Sequence, residues 1–182
     1  NATPPPGCDL GSMFGIQLSS SGRVESIDFT NNPNFGNGLD GTFPSEFSDL
    51  DSLKFLIMPN NGNLSGSIHT SLGNLDVLET FSVRNCGLSG ALPSTFWNLT
   101  SLVSIDIYGN AFSGSIPTQL GNLTNLEFLD LGNTDFTGPI PEEFGQLISL
   151  KEMYFENNAF TFLPDVFTNM TDLEIFIIKN NS

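Results

Sequence analysis

The sequence predicts an α/β solenoid, a right-handed curved superhelix with a parallel β-sheet along its inner side and few or short helices. Three observations predict this fold. A segment with apolar residues at positions 1, 4 and 6 and a small, usually Asn, residue at position 9 recurs seven times. Gly and Pro then recur at positions 13 and 16. Since one such unit of about 24 residues cannot bury its own apolar edge, the units must stack.

The repeats occupy residues 24–182, and residues 1–23 are predicted to form an amino-terminal cap. Positions 1, 4 and 6 alternate as a short strand whose inward side chains are apolar. Most of the 17 Phe residues fall on inward positions, which indicates a stacked core and not a ligand-binding cluster. The seven repeats start at Val24, Leu53, Leu78, Leu102, Leu126, Leu150 and Leu173.

Position 9 requires a small side chain that hydrogen-bonds backbone groups turning inward after the strand. Cys86 occupies this position in the third repeat, so we expect a buried structural thiol. Gly at position 13 permits the bend after the strand, and Pro at position 16 favours a turn or extended backbone.

Two middle copies read LVSIDIYGNAFSGSIPTQLGNLTN and LEFLDLGNTDFTGPIPEEFGQLIS. Both match the pattern L-x-x-L-x-L-x-x-N-x-L-x-G-x-I-P-x-x-L-x-x-L-x-x. The chain thereby resembles the leucine-rich repeat family in its plant-type, extracellular form. Repeats of this kind are similar to receptor-like kinase ectodomains and to polygalacturonase-inhibitor-like proteins, and this resemblance implies a recognition domain outside the cell.

The two ends and one insertion depart from the regular pattern. The segment from Phe14 to Leu18 resembles the family's amino-terminal cap, but Leu18 stands at a Cys position and Cys8 lies too far upstream. The cap disulfide is therefore not carried over, and Cys8 is either a free thiol or paired outside this chain. Five extra residues around 33–38 predict a loop that can act as a binding lip. Because no cap pattern follows the seventh strand, we expect further protein or another chain to cover that end.

The charge balance excludes two classes of partner. The 182 residues include 20 acidic and 5 basic side chains, a formal charge of −15. A nucleic-acid or anionic membrane surface needs clustered Lys and Arg, which this chain lacks. No apolar run approaches the roughly 20 residues of a membrane span, so no direct insertion is expected from this segment.

Enzymatic activity, a cofactor and a metal are not predicted. The single His69 stands at a turn position normally held by Pro, with no nucleophile constellation around it. Asp28, Asp106 and Asp130 share position 5, where the last two would be adjacent and could hold Ca²⁺. Aspartate is ordinary at this position of the family pattern and would be solvated, so no metal site is predicted.

The inner, concave face carries the candidate binding residues. Arg84 lies beside Tyr108 and lacks an acidic neighbour at its own position, a composition typical of an interface hot spot. Alternatively, Arg84 pairs diagonally with Asp106 or stacks on the Tyr108 ring. Position 2 alternates in charge from repeat to repeat, which favours mutual neutralisation over ligand binding. The predicted ligand-binding residues are Arg84, Tyr108, Phe55, Ile57, Phe128 and Tyr154.

Asn-x-Ser/Thr acceptor patterns agree with secretion. Three of them recur near the same repeat position on the outer side, where glycans leave the inner face open. The candidate glycosylation sites are Asn63, Asn98, Asn122 and Asn169.

The leading hypothesis is an extracellular or cell-surface recognition domain that binds a protein, peptide or glycan along the concave face. The alternative is a structural subunit of a larger extracellular assembly, joined through the uncapped carboxyl-terminal end.

Overall fold

A computed structural model describes residues 15–30 and 38–182 of the chain. Cys8, Phe14 and residues 33–37 of the predicted lip lie outside the described residues. The described chain is a solenoid with a parallel sheet and short helical turns, which confirms the predicted fold class.

One eight-stranded sheet runs along the solenoid in the order β1-β2-β4-β6-β8-β10-β12-β14. Its strands from β2 onward are parallel, and each starts at or two residues after a predicted repeat start. Equal repeat positions are in register, as the pairing of Asp106 with Asp130 shows. The strands are β1 Ile16–Leu18, β2 Val24–Asp28, β4 Phe55–Ile57, β6 Thr80–Ser82, β8 Ser104–Asp106, β10 Phe128–Asp130, β12 Glu152–Tyr154 and β14 Ile175–Ile177.

The amino-terminal end of the sheet is covered by β1. This strand pairs antiparallel with β2, and Ile16 lies opposite Ile27. The antiparallel hairpin occupies the hydrogen-bonding edge that the first repeat would otherwise leave open.

The core fills the side of the sheet that faces the rest of each repeat. The middle residue of each three-residue parallel strand of this sheet points inward, as Phe81 and Leu129 do, and both are fully buried. Phe rings of adjacent repeats pack edge to face, for example Phe144 and Phe155, whose ring centroids lie 5.8 Å apart. Most of the described Phe residues are therefore core material, as the sequence predicts, whereas Phe162 is 59% exposed.

Side chains at position 9 form a buried polar ladder. Asn110 donates from Nδ2 to the carbonyls of Val83 and Ile107, at 2.8 and 2.9 Å, and its Oδ1 accepts from the Leu88 N–H at 3.1 Å. Cys86 is buried in the same ladder, and its Sγ donates to the Met58 carbonyl at 3.1 Å. Burial raises the pKa of this thiol, which agrees with the predicted structural role.

A second row of short strands was not predicted. It consists of a four-stranded parallel sheet, in the order β13-β11-β9-β7, and a separate β3–β5 pair. These strands pass through position 13, where Gly114 has φ +99° and Gly138 φ +79°. The second-row strands are β3 Asp40–Thr42, β5 Asn63–Ser65, β7 Ser89–Ala91, β9 Ala111–Gly114, β11 Asp135–Pro139 and β13 Ala159–Phe162.

Each of the first six repeats then closes through a 3₁₀ helix of three to five residues. Proline in extended backbone precedes most of these helices, with φ between −65° and −83°. His69 replaces it once and accepts a hydrogen bond from the Ser71 N–H. The helices are Ser45–Asp49, Thr70–Asn74, Ser94–Asn98, Thr118–Asn122, Glu142–Gln146 and Phe167–Asn169. Among the described residues, none of the helices has the length and apolar character to cross a membrane.

Candidate functional site on the concave sheet

The concave face is the side of the eight-stranded sheet that carries no core. Because side chains alternate along a strand, the first and third residues of each three-residue strand point to this face. Thr80, Ser82 and Ser104 make its middle small and polar. The predicted apolar residues lie on either side of this polar middle, Phe55 and Ile57 on β4 and Phe128 and Tyr154 on β10 and β12.

The predicted site residues therefore fall into three groups and do not form one continuous patch. Phe55 and Ile57 are half-buried neighbours on one strand. The rings of Phe128 and Tyr154 lie 5.8 Å apart between centroids, which makes a tilted aromatic pair.

Arg84 and Tyr108 form the third group. The guanidinium carbon of Arg84 lies 4.9 Å from the centre of the Tyr108 ring. Arg84 Nη1 also donates to Asp106 Oδ2 at 3.2 Å. Both contacts of the alternative interpretation are present, so Arg84 is a positioned cation and not an unpaired one.

Ion pairs neutralise both cations that lie at position 2. Lys54 Nζ lies 2.7 Å from Glu25, and Lys151 Nζ lies 2.6 Å from Glu127. The hydrogen bond to the partner glutamate raises the pKa of each lysine. These pairs are exposed, so they neutralise charge on the surface but contribute little to the stability of the fold.

Two of the three carboxylates at position 5, Asp106 and Asp130, are buried, so for them the expectation of solvation is wrong, whereas Asp28 is half-buried. Asp130 is 5% exposed and Asp106 is 9% exposed. Each folds back on its own strand end, since the Gly132 N–H donates to Asp130 Oδ1 at 2.9 Å and the Tyr108 N–H to Asp106 Oδ1 at 3.3 Å. The hydrogen bond from the backbone N–H partly replaces the hydrogen bonds to water that burial removes, and so lowers the free-energy cost of burying the carboxylate.

Burial acts on the acidity of both aspartates. It raises the pKa of Asp130 to about 6, with Asp106 and Glu156 adding to the rise and the Gly132 N–H and Arg84 opposing it. Burial also raises the pKa of Asp106, although Arg84 lowers it in part. In the described chain, no three His, Cys, Asp or Glu side chains are grouped as a metal site requires.

Gly132 marks a gap in the row of side chains at position 7. Tyr108 precedes it in this row and Glu156 follows it. A Cβ atom built on Gly132 would lie 3.1 Å from Tyr108 Cδ2, from Glu156 Cδ and from Asp130 Oδ1. Sequence reasoning missed this convergence, although a Gly between Tyr and Glu at equal repeat positions was a readable signal.

Glu156 and Lys179 occupy position 7 of adjacent repeats, a placement that favours an ion pair between them. No ion pair joins these two residues in the described chain, and Glu156 Oε2 is buried without a hydrogen-bond partner. The convergence at Gly132 therefore contains an acceptor atom that no described side chain satisfies.

The candidate glycosylation residues lie away from the concave strands. Asn98, Asn122 and Asn169 each end a 3₁₀ helix, and Asn63 begins β5 of the second strand row. All four are exposed.

Comparison with known families identifies the repeats. The model of the Leucine Rich Repeat family matches residues 77–99, 101–123 and 125–147. Among curated proteins, no match to the sequence is found.

Solved structures share the fold over nearly the whole chain. The ectodomain of the plant membrane receptor kinase GASSHO1/SCHENGEN3 from Arabidopsis thaliana has a TM-score of 0.88 and 32% identity, over 95% of this chain and 20% of that one. PEPR1, solved with AtPEP1, has a TM-score of 0.85 and 30% identity, over 94% and 24%. The BIR2 ectodomain from Arabidopsis thaliana has 0.71 and 26%, over 84% and 78%. The present chain thus spans about a fifth to a quarter of the first two proteins.

Proposed function

Because the chain is a leucine-rich-repeat protein similar to receptor-kinase ectodomains, we propose that it is an extracellular recognition domain that binds a protein or peptide along its concave face. The observation that carries the proposal is the way in which Arg84 is held on that face. Arg84 is held between an aromatic ring and a buried carboxylate, which is a preorganised interface side chain.

Apolar groups on the same face support a protein or peptide ligand. Phe128 and Tyr154 present a paired aromatic surface, and Phe55 with Ile57 presents a second apolar surface across the polar middle of the sheet. An extended peptide that crosses several strands meets both groups. Aromatic and arginine side chains are enriched at the centres of protein interfaces.

Similar structures agree with this choice of ligand class. The GASSHO1/SCHENGEN3 ectodomain was solved in complex with CASPARIAN STRIP INTEGRITY FACTOR 2, and PEPR1 with AtPEP1. A solved complex of BIR3 with SERK2 contains a chain that is 26% identical to this one. We carry over the ligand class only, since the chain spans a small part of the first two proteins.

An extracellular location is part of the same proposal. The similar ectodomains lie outside the cell membrane, and the exposed acceptors Asn63, Asn98, Asn122 and Asn169 leave the concave face clear. Expression through a eukaryotic secretory pathway should add glycans to these residues, and peptide mass spectrometry before and after enzymatic deglycosylation measures their occupancy.

The binding proposal is tested by selection from a displayed library of random peptides, followed by affinity measurement with the purified chain. Arg84→Ala combined with Tyr108→Ala should weaken the selected peptides at least about tenfold, because hot-spot truncations cost about 2 kcal/mol. The matched control is Glu142→Ala combined with Ile148→Ala on exposed positions away from the concave strands.

Peptides that bind the concave double variant as well as the unmodified chain, but not the control variant, would place the site elsewhere. A selection that yields no binding peptide, with a parallel glycan panel that does bind, would replace the peptide class by glycans.

A further inference from the structure

We propose that Asp106 is the positioning residue of the concave binding site, and that its carboxylate holds the Arg84 guanidinium against the Tyr108 ring for contact with the peptide partner. The inference rests on the proposed function and deepens it, because it names the group that organises the site and makes peptide binding depend on the charge of that group. Asp106 itself is buried, so it acts through the two residues that a ligand can reach.

One carboxylate fixes both members of the site. Asp106 Oδ2 accepts a hydrogen bond from Arg84 Nη1 at 3.2 Å, and Asp106 Oδ1 accepts one from the Tyr108 N–H at 3.3 Å. The guanidinium carbon lies 4.9 Å from the centre of the Tyr108 ring. Since the cation and the backbone that carries the ring are bound to the same group, their relative position is set before a ligand arrives.

Exposure separates the roles of the three residues. Arg84 and Tyr108 are partly exposed, so both can contact a ligand on the concave face. Asp106 is buried, and both of its carboxylate oxygens are bonded within the chain. A ligand therefore meets the arginine and the ring and not the carboxylate, which makes Asp106 a positioning residue.

The other aspartates at position 5 show that the bound cation, and not the turn, is particular to Asp106. Asp28 Oδ1 accepts from the Thr30 N–H at 2.9 Å, and Asp130 Oδ1 accepts from the Gly132 N–H at 2.9 Å. Each of the three aspartates thus binds the N–H two residues ahead. Within the described part of the chain, Asp106 is the one of the three that also has a salt bridge. The turn is a recurring feature of the repeats, and the restraint of a cation is an addition at one repeat.

The ionised form of Asp106 is the form that restrains Arg84. A charged carboxylate binds a guanidinium group more strongly than a neutral carboxyl group does, because the hydrogen bond is then charge-assisted on both sides. Burial raises the pKa of Asp106 above its usual value of 3.8, while Arg84 and the Tyr108 N–H oppose the rise. As the pH falls through this pKa, Asp106 becomes neutral, Arg84 is free to leave the ring and the affinity for the peptide decreases.

The groups around Asp106 determine how the pH dependence must be measured. Asp106 interacts with Arg84 and Cys86 from the β6 repeat and with Asp130 from the β10 repeat. Asp130 also titrates in mildly acidic solution, with a pKa of about 6. A loss of affinity on acidification therefore does not by itself identify Asp106. Substitution of Asp106 makes the distinction, since it leaves Asp130 in place.

The test uses the full chain and displayed random peptides that are selected at neutral pH. Peptides are kept if Arg84→Ala weakens them, and if they have blocked ends and no Asp, Glu or His, so that their own charge stays constant. Asp106→Asn should weaken these peptides about three- to tenfold, the cost of ordering one long side chain on binding. The matched control, Asp28→Asn, alters the same turn at a residue without a salt bridge in the described chain and should leave the affinity unchanged.

A pH titration and a double-mutant cycle give the decisive readouts. The affinity ratio between the unmodified chain and Asp106→Asn should fall from this value at about pH 7.5 to about one at about pH 3.5, where Asp106 is neutral. In the Arg84→Ala background, Asp106→Asn should cause no further loss. A residue that only supports the fold would instead weaken binding in both backgrounds and at both pH values.

If Asp106→Asn has no larger effect than Asp28→Asn, or if its loss persists in the Arg84→Ala background, the inference is wrong while the proposed function stands. If no selected peptide depends on Arg84 and Tyr108, both are wrong. Circular dichroism at each pH excludes misfolding as the cause. Should Asp106→Asn not fold, the unmodified chain is titrated against Arg84→Ala. Its advantage in affinity should shrink as the pH falls, and a constant advantage would overturn the inference.

Discussion

The guanidinium carbon of Arg84 lies 4.9 Å from the centroid of the Tyr108 ring, while Nη1 of the same residue bonds the buried carboxylate of Asp106 at 3.2 Å. The Tyr108 ring and the Asp106 carboxylate, both from the next repeat, thus hold the Arg84 guanidinium in place. An arginine held in this way has lost side-chain entropy before any partner arrives, which lowers the cost of binding.

Arg84→Ala should destabilise the fold more at neutral than at acidic pH. Without the cation, the 9% exposed Asp106 remains as a buried charge, and its already raised pKa rises further. We expect a loss of about 1–2 kcal/mol at pH 7.5, discounted for the partly exposed arginine, and a smaller loss at pH 3.5, where Asp106 is neutral. Urea denaturation at the two pH values measures both.

Lys54→Ala is the matched control for Arg84→Ala. Lys54 forms an exposed ion pair with Glu25, so its removal should leave the unfolding midpoint unchanged at both pH values. Equal losses for Arg84→Ala at the two pH values would show that Asp106 does not depend on the cation.

Asp130→Asn should stabilise the fold at neutral pH. The folded-state pKa of about 6 lies above the unfolded value of 3.8, so the folded state prefers the protonated form. Stability is therefore lost as the pH rises between these values, and the full penalty persists above about pH 6. The neutral amide avoids a penalty of about 1–3 kcal/mol at pH 7.5 and has no advantage below about pH 4. Thermal unfolding across this range checks the crossover, and a constant difference at all pH values would contradict it.

Sequence patterns were sufficient for the regular parts of the fold. Alternation at positions 1, 4 and 6 depends only on which side chains face the core, and residues such as Phe81 and Leu129 are fully buried as predicted. The second row of strands was not predictable in the same way. Its strands run through or end beside positive-φ glycines such as Gly114, and their pairing comes from contacts between repeats and not from a period within one repeat.

The candidate site was also predicted only in part, because some of its contacts depend on the backbone and not on the pattern of side chains. Arg84 and Tyr108 occupy position 7 of adjacent repeats, so the register of the sheet predicts that they are in contact, and they are. Burial of Asp130 depends on the Gly132 N–H turning back to its carboxylate, a backbone detail that no side-chain pattern encodes. Lys179 and Glu156 occupy the same position of adjacent repeats but form no ion pair. A shared repeat position does not determine the rotamers of long side chains.

Asn110→Ala should be strongly destabilising. The side chain is 8% exposed and bonds the Val83 carbonyl, the Ile107 carbonyl and the Leu88 N–H. Alanine leaves these backbone groups buried and without this partner, at a cost of about 3–5 kcal/mol. Urea denaturation of protein made without glycosylation measures the loss. The exposed Asn122→Ala serves as control and should change stability by less than about 0.5 kcal/mol. A loss below about 1 kcal/mol for Asn110→Ala would mean that water replaces the ladder.

Two glycines separate the effect of backbone conformation from the effect of space. Gly114 has φ +99°, and a Cβ built on it has its nearest neighbour, Ala91 Cβ, at 3.7 Å. Gly114→Ala should therefore cost about 1–2 kcal/mol from backbone strain alone.

Gly132 does not have a positive φ, and its new Cβ would meet three side-chain atoms at 3.1 Å. Because Tyr108 and Glu156 are partly exposed and can shift, Gly132→Ala should change the free energy of unfolding by less than about 1 kcal/mol. Urea denaturation of both variants measures the contrast, and a larger loss at Gly132 than at Gly114 would show that the side chains around Gly132 cannot shift.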